Sequence, residues 1–221
     1  MRSVKPSTKR PDAKPFLMYS PAHFKQTDPE VLHALVRENP LGTLITIDAQ
    51  GDPVADELPF LLEPGFGAHG RLLGHVARAN PLWQVHPQER EVLVVFRGPQ
   101  AYISPNWYPG KAEHGKVVPT WNYSVVQVRG RLRVMEPSSD ELLALLRQLT
   151  ATHEASQAQP WQMDDAPPDY LAAMQGAVVG LEISVSDWAG KFKLSQNQSV
   201  ANREGVRAGL AGHAMARMMA P

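Results

Sequence analysis

The chain has no cysteine. That removes disulfides, thiolate metal sites and cysteine nucleophiles together. It also lacks a surplus of either charge: 22 Lys and Arg stand against 22 Asp and Glu, a formal net charge of +0 with His neutral. A dedicated DNA-binding domain shows a basic imbalance or a concentrated basic face, so composition gives no argument for nucleic acid. No apolar run approaches the roughly 20 residues of a membrane span. The start, MRSVKPSTKRPDAKP, is basic and Pro-rich, and no apolar signal-peptide core follows it. Also missing are the G-x-G-x-x-G turn, the phosphate-loop lysine, the G-x-S-x-G elbow and His pairs at metal spacing. His75, His86, His114 and His153 are scattered, so zinc and serine-hydrolase chemistry have no support. The expectation is a soluble, cytoplasmic, bacterial-type protein with a flexible leader over residues 1–15.

What is present reads as many short elements. Over 221 residues, 43% are hydrophobic, enough for one substantial core. Twenty prolines and 16 glycines are spread along the chain and punctuate it. Asp28 and Pro29 open a helix with a Leu32, Leu35, Val36 stripe, and Asn39-Pro40 stops it. Strands are expected at 42–47, 53–63, 71–77, 91–98, 101–105, from about 117 to 134, 177–188 and 191–197. Residues 107–116 read as a polar loop. Ser138, Ser139, Asp140 and Glu141 read as a capping box before a leucine-striped helix. Two more helices are expected at 167–175 and 202–211. The sum is one domain over 16–212, with a helical insertion at about 138–175 and a C-terminal tail at 213–221. The fold class is mainly β with peripheral helices, the strands forming a closed or half-closed antiparallel barrel.

Three clusters stand out. In GHVARANPLW (74–83), Arg78 and Asn80 follow a strand end, where a guanidinium and turn N–H groups suit a phosphate. The plainer reading is a surface Arg with Asn80 as a helix cap. In VVPTWNYSVVQVRG (117–130), Trp121 and Tyr123 project to one side and Asn122 to the other. Aromatics offer flat contact area with polar tips; the plainer reading is an interface strand. Beyond them Val126, Val128, Leu132 and Val134 share one parity, while Arg129, Arg131 and Arg133 share the other. In KFKLSQN (191–197), Lys191 and Lys193 share a face, with Ser195 and Gln196 as added polar groups. The plainer reading there is an edge strand guarded by lysines. Together the clusters describe a planar, phosphate-bearing ligand on a barrel.

MYSPAHF (18–24), LGTLIT (41–46), ADELPFLL (55–62), GHVARANPLW, AYISPNWY (101–108), VPTWNYSVVQVRG and KFKLSQN, in this order, resemble the PaiB family. Its members are described as FMN-binding negative transcriptional regulators. The resemblance runs from about Met18 to Leu210. It implies an FMN-binding split β-barrel, similar to pyridoxamine 5′-phosphate oxidases, in a homodimer with FMN sites at the interface. It implies that Asp56, Glu57 and Leu58 run along the flavin edge and that the Ala77–Asn80 turn meets the phosphate. Trp121, Asn122 and Tyr123 would lie against the cofactor or the second subunit. Lys191, Lys193, Ser195 and Gln196 would reach the site from the partner chain. His75 and Tyr123 are candidate proton-transfer groups. Glu57 departs from the family pattern, which has His or a small polar residue there; an inward carboxylate would oppose a reduced flavin. No second phosphate site is evident, so pyridoxamine oxidase activity is not expected.

The resemblance implies transcriptional repression, yet no helix-turn-helix is visible. Any DNA contact would fall to the Arg129, Arg131, Arg133 face or the basic leader. The alternative is an FMN-dependent oxidoreductase or flavin reductase with no DNA role. Haem handling is a third possibility on related barrels.

Overall fold

A computed structural model describes residues 18–85, 90–135 and 139–219; the leader at 1–15 lies outside them. The strands are β1 (Lys25–Gln26), β2 (Leu41–Ile47), β3 (Pro53–Pro59), β4 (Leu61–Glu63), β5 (Arg71–Ala77), β6 (Arg90–Ile103), β7 (Thr120–Val134) and β8 (Val178–Lys193). The helices are α1 (Pro29–Glu38), α2 (Leu82–Val85), α3 (Gly110–His114), α4 (Asp140–Glu154), α5 (Pro168–Gly176), α6 (Val200–Gly209) and α7 (Ala214–Met218). All strand pairs are antiparallel, in the order β3-β2-β6-β7-β8-β5-β4, with β1 added to β8. The sheet curls on itself: Asn80, just past β5, donates to Asp56 on β3 at 2.8 Å.

Strict alternation builds the barrel interior. Leu44, Val92, Val94, Phe96, Val126, Val128, Leu132, Leu181 and Ile183 turn inward, and α1 closes one mouth with Leu32, Leu35 and Val36. Each fully buried side chain of this kind contributes about 1.5–3 kcal/mol. A second core gathers Ile103, Tyr108, Val206, Leu210, Met215 and Met219 where α6 and α7 pack on the ends of β6 and β7. A third lies outside the barrel, where Leu145 and Leu149 of α4 cover Leu73 and Met135.

Several boundaries differ from those read in the sequence. Residues 91–98 and 101–105 are one strand, β6, that crosses its register irregularity between Arg97 and Gln100 without ending. Likewise 177–188 and 191–197 merge into β8, which stops at Lys193; the remaining LSQN is a turn. Pro59 cannot donate to a ladder, and 53–63 divides after it into β3 and β4. The loop at 107–116 contains α3, preceded by a 3-10 turn at Pro105–Trp107. The α4 cap is Ser139, whose hydroxyl accepts from Leu142 N, while Glu141 turns to Arg133 instead of closing a box. The segment read as a tail from 213 holds α7, because Met215 and Met219 have a core to enter. Among the described residues no helix is long and apolar enough to cross a membrane.

Candidate functional site

The residues picked from the sequence fall in four places. On β3, Leu58 is buried in the barrel core and Asp56 shares its face. Glu57 takes the opposite face and accepts a hydrogen bond from Thr43 at 2.7 Å. Its carboxylate is therefore tied to the neighbouring strand. Asp56 accepts from Asn80 through Oδ1, and its buried Oδ2 has no partner.

At the end of β5, the Arg78 guanidinium is turned toward main-chain carbonyls. Nε donates to Gly176 O, and Nη2 donates to Val178 O at 3.1 Å. Arg78 thus ties the end of α5 to β8, and its own carbonyl accepts from Trp83 Nε1 at 2.9 Å. A guanidinium has five N–H donors, so donors remain, but the side chain is no free surface charge. Asn80 acts as the cap of the turn into α2: its Oδ1 accepts from Leu82 N at 2.8 Å. His75 lies on the face of β5 that carries Leu73, under the helical insertion. Burial lowers its pKa, and its Nδ1 has no partner.

The head of β7 divides by parity. Trp121 is 54% exposed and Asn122 is 0% exposed. Trp121 meets Tyr102 of β6 edge to face, with centroids 6.0 Å apart. Tyr123 pairs with Lys193 across the ladder, and Lys191 sits between the Tyr19 and Tyr123 rings, 5.4 Å from each. Lys191 also donates to Tyr19 O at 3.0 Å. Because directly paired residues share a face, Arg97, Val125, Lys191 and Lys25 form one outward row across β6, β7, β8 and β1. Thr43, Val95, Gln127 and Ala189 form the next but one. The outer wall of the barrel therefore carries aromatic and apolar side chains beside three cations. Sequence reading missed Lys25, Arg97 and Tyr102, since only the inter-strand register aligns them, and Tyr19, which is placed by its contact with Lys191.

Asn122 points the other way. Its Nδ2 donates to Ser195 Oγ at 2.9 Å, and that hydroxyl donates back to Asn122 Oδ1 at 3.3 Å. Ser195 has φ 63, the left-handed region, without being glycine. The turn is braced by Gln196: its Oε1 accepts from Leu194 N at 2.7 Å, and its amide donates to Phe192 O. Gln196 is thus occupied by its own turn. Lys193 curls round the strand end and donates to Thr120 Oγ1. Asn122, Ser195 and Lys193 line a cavity of about 220 Å³ together with Tyr108 and Lys116. Asn122 and Tyr123 thus lie on opposite faces of β7, and Lys193, the ladder partner of Tyr123, joins the two at the strand end.

The Arg129, Arg131, Arg133 face is not bare. Arg133 donates to Glu141 and Glu182, Arg129 lies 4.0 Å from Glu91, and Asp187 stands opposite it in the ladder. Among the described residues no cluster of three metal-ligating side chains exists.

Comparison with known proteins gives the family. Residues 18–187 match the model described as "Putative FMN-binding domain". The chain is 37% identical to the protease synthase and sporulation protein PAI 2 of Bacillus subtilis, over 82% of this chain and 84% of that one. It is 34% identical to an uncharacterised protein of Emericella nidulans, over 87% and 90%, so relatives are fungal as well as bacterial. Among solved structures it is similar to the flavocytochrome Anf3 of Azotobacter vinelandii, with a TM-score of 0.53, 14% identity and coverage of 76% and 69%. It is also similar to the FAD and heme binding protein of Mycobacterium smegmatis, with a TM-score of 0.52, 17% identity and coverage of 84% and 80%. On an eight-stranded split β-barrel, with its matching region spanning most of the sequence, the chain belongs to the PaiB-like family of FMN-binding domains, and FMN is its cofactor.

Proposed function

We propose that the protein is a homodimeric FMN-binding protein of the PaiB type that acts as a negative regulator of transcription, with two flavin sites between the copies. The outer wall of β2, β6, β7 and β8 carries this reading. Tyr102, Trp121, Leu41 and Ile47 are all exposed there in the single chain. An apolar wall of this kind in a monomer marks an interaction surface. A flavin needs flat contact area for its rings and cations or N–H groups for its phosphate. The Tyr102, Trp121 and Tyr123 side chains supply the first, and Lys191, Lys25 and Arg97 stand beside them. The guanidinium N–H groups of Arg78 that Gly176 and Val178 leave unused serve the phosphate at the 77–80 turn. When bound, FMN supplies the redox chemistry. The chain's own part is to hold the ring against Trp121 and Tyr123 and to exclude water once a second copy covers the wall. Glu57, bonded to Thr43, stays off the ring edge by that bond. Sedimentation of the purified protein with FMN tests the reading: the expected mass is twice that of the chain, with flavin co-sedimenting. A single-chain mass with flavin bound would sink the dimer.

A second reading, an FMN-dependent oxidoreductase or flavin reductase without DNA contact, is favoured by one observation. Two of the arginines that would face DNA are engaged, Arg129 by Glu91 and Arg133 by Glu141 and Glu182, and the net charge is +0. A salt-titrated gel shift separates the two. Direct regulation needs binding at low salt, where counterion release favours it most. Reduction of the bound flavin by NADH or NADPH without air is the signature of the second reading.

A further inference from the structure

The helical insertion carries a groove that the flavin reading does not use. Leu142, Leu145 and Leu149 turn one face of α4 to the barrel. Arg147, Thr150, Ala151 and Glu154 recur three or four residues apart on the opposite face. Residues 155–163 fold back along that face, and Pro160, Trp161 and Met163 form the facing wall of an open groove. Two hydrogen bonds and an ion pair fix this wall. Trp161 N donates to Glu154 Oε2 at 3.0 Å, Gln162 N donates to Asp165 Oδ2 at 2.9 Å, and Arg147 Nη2 donates to Asp164 Oδ1 at 3.1 Å.

Two observations say what the groove takes. The first is Trp161. Its backbone is pinned, yet the residue is 44% exposed, and its indole N–H has no partner among the described residues. The same insertion exposes Tyr170 and Met174, one turn apart on α5, a helix with no buried residue. Aromatic and Met side chains are enriched where proteins meet, and exposed apolar groups gathered on one element mark an interaction surface. The second observation is charge. From 148 to 190 the chain has no Lys or Arg, while Glu154, Asp164, Asp165 and Asp169 fall within the insertion. Arg147, the one cation lining the groove, is paired with Asp164. Glu154 is half-buried beside Trp161, and its Oε1 accepts no hydrogen bond from a described residue. The groove therefore offers a flat aromatic face, a carboxylate next to it and a negative rim. That combination repels nucleic acid and anionic membranes. It suits a guanidinium, which stacks on an aromatic face and donates to a carboxylate at once.

We propose that this groove docks a basic segment of a partner protein, with an arginine laid on Trp161 and bonded to Glu154. Further cations of the segment face Asp165 and Asp169. Lysine fills the central place less well, since an ammonium has no plane to stack. None of the residues lining the groove belongs to the flavin reading, so the docking stands or falls apart from it.

Fluorescence anisotropy on the full-length protein as purified tests the assignment. The probes are a rhodamine-labelled Ala-Arg-Leu-Arg-Ala-Arg-Leu-Arg-Ala peptide, its counterpart with Lys for Arg, and its counterpart with Glu for Arg. The Arg peptide is expected to saturate and to bind at least threefold more tightly than the Lys peptide, and the Glu peptide not to bind. Added salt is expected to weaken the Arg peptide, because the rim charges are exposed. Trp161→Ser is expected to weaken it at least tenfold. Glu154→Gln, which keeps an acceptor for Trp161 N, is expected to weaken it about threefold to tenfold. Glu38→Gln, an exposed carboxylate of α1, is expected to change nothing. Thermal melts confirm that the variants fold, and Glu154→Gln decides if Trp161→Ser does not. Three results overturn the proposal: no saturable binding of the Arg peptide, equal affinity for the Lys or the Glu peptide, or binding that neither groove variant changes. A sedimentation mass that halves with Trp161→Ser in the absence of peptide assigns the groove to a second copy of this chain and overturns it as well. Flavin content, read by absorbance in the same preparation, tells failure of this surface from failure of the flavin reading.

Discussion

Replacing Glu182 by Gln removes one charge from the ion cluster that ties the helical insertion to the barrel. Glu182 is 4% exposed on β8. Arg71 of β5 donates to it at 2.7 Å and Arg133 of β7 at 3.0 Å. Glu63 pairs with Arg71 at 2.7 Å and Glu141 of α4 with Arg133 at 2.5 Å. Removing one partner of a buried pair costs about 3–5 kcal/mol, because the other charge stays behind uncompensated. Both arginines keep a second carboxylate, however, and the Arg133 side chain is 39% exposed, so solvent screens part of the loss. The expected cost is about 2–3 kcal/mol. At about 2–4 °C per kcal/mol for a chain of this size, Tm falls by about 4–12 °C.

The pH dependence fixes the cause. Burial works against the Glu182 charge, but hydrogen bonds from Arg133 and Arg71 outweigh it and the folded-state pKa is lowered. A carboxylate of this sort contributes its stability in full above its unfolded pKa, about 4.3. It loses that stability as pH falls through the folded value. The gap between wild type and E182Q is therefore flat from neutral pH down to mildly acidic pH, and it shrinks below about pH 4.3. Urea unfolding at pH 7, 5.5 and 3.5 measures it. A gap under about 1 kcal/mol at pH 7, the size of an exposed pair, refutes the buried-charge argument. So does a gap that keeps its full size at pH 3.5.

Trp121→Ser is expected to leave chain stability within about 0.5 kcal/mol, since the indole is half exposed. As a buried anchor between two copies, the indole would be worth about 2 kcal/mol or more to association, a roughly 30-fold rise in dimer Kd; urea unfolding reads the first and sedimentation equilibrium the second. Arg78→Met removes a charged donor worth about 1.5–3 kcal/mol, so FMN affinity drops about 10- to 100-fold. Unchanged flavin fluorescence titrations in a folded variant would move the phosphate away from the 77–80 turn. Gly205→Ala and Gly176→Ala should have opposite signs in thermal melts. A Cβ at Gly205 would lie 2.1 Å from the Trp107 carbonyl oxygen, and one at Gly176 meets nothing within 4 Å. The first is expected to destabilise by about 1–3 kcal/mol or more by overpacking the wall behind Tyr108. The second is expected to be neutral or to stabilise by up to about 1 kcal/mol.

What was legible in the sequence is what local chemistry writes. The two-residue period of β7 gave the inward Val126, Val128 and Leu132 and the outward arginines, and the same parity put Asn122 opposite Trp121 and Tyr123. The Asp28-Pro29 start of α1 was equally local. Register is not local. Nothing near Arg97 in the chain announces that Val125, Lys191 and Lys25 align with it, because that row forms only when four strands distant in sequence settle their pairing. The same blindness misjudged charge. Arg78 looked available because its partners, the carbonyls of Gly176 and Val178, lie about a hundred positions away. Arg133 looked free because Glu182 lies 49 positions away. Asn122 is the sharpest case. Parity alone sends an amide into an apolar core, where an unpaired polar group is costly. The pairing that resolves this comes from Ser195, held left-handed in the turn after β8. A strand residue with no local reason to be Asn thus acquires one from a strained serine 73 positions away.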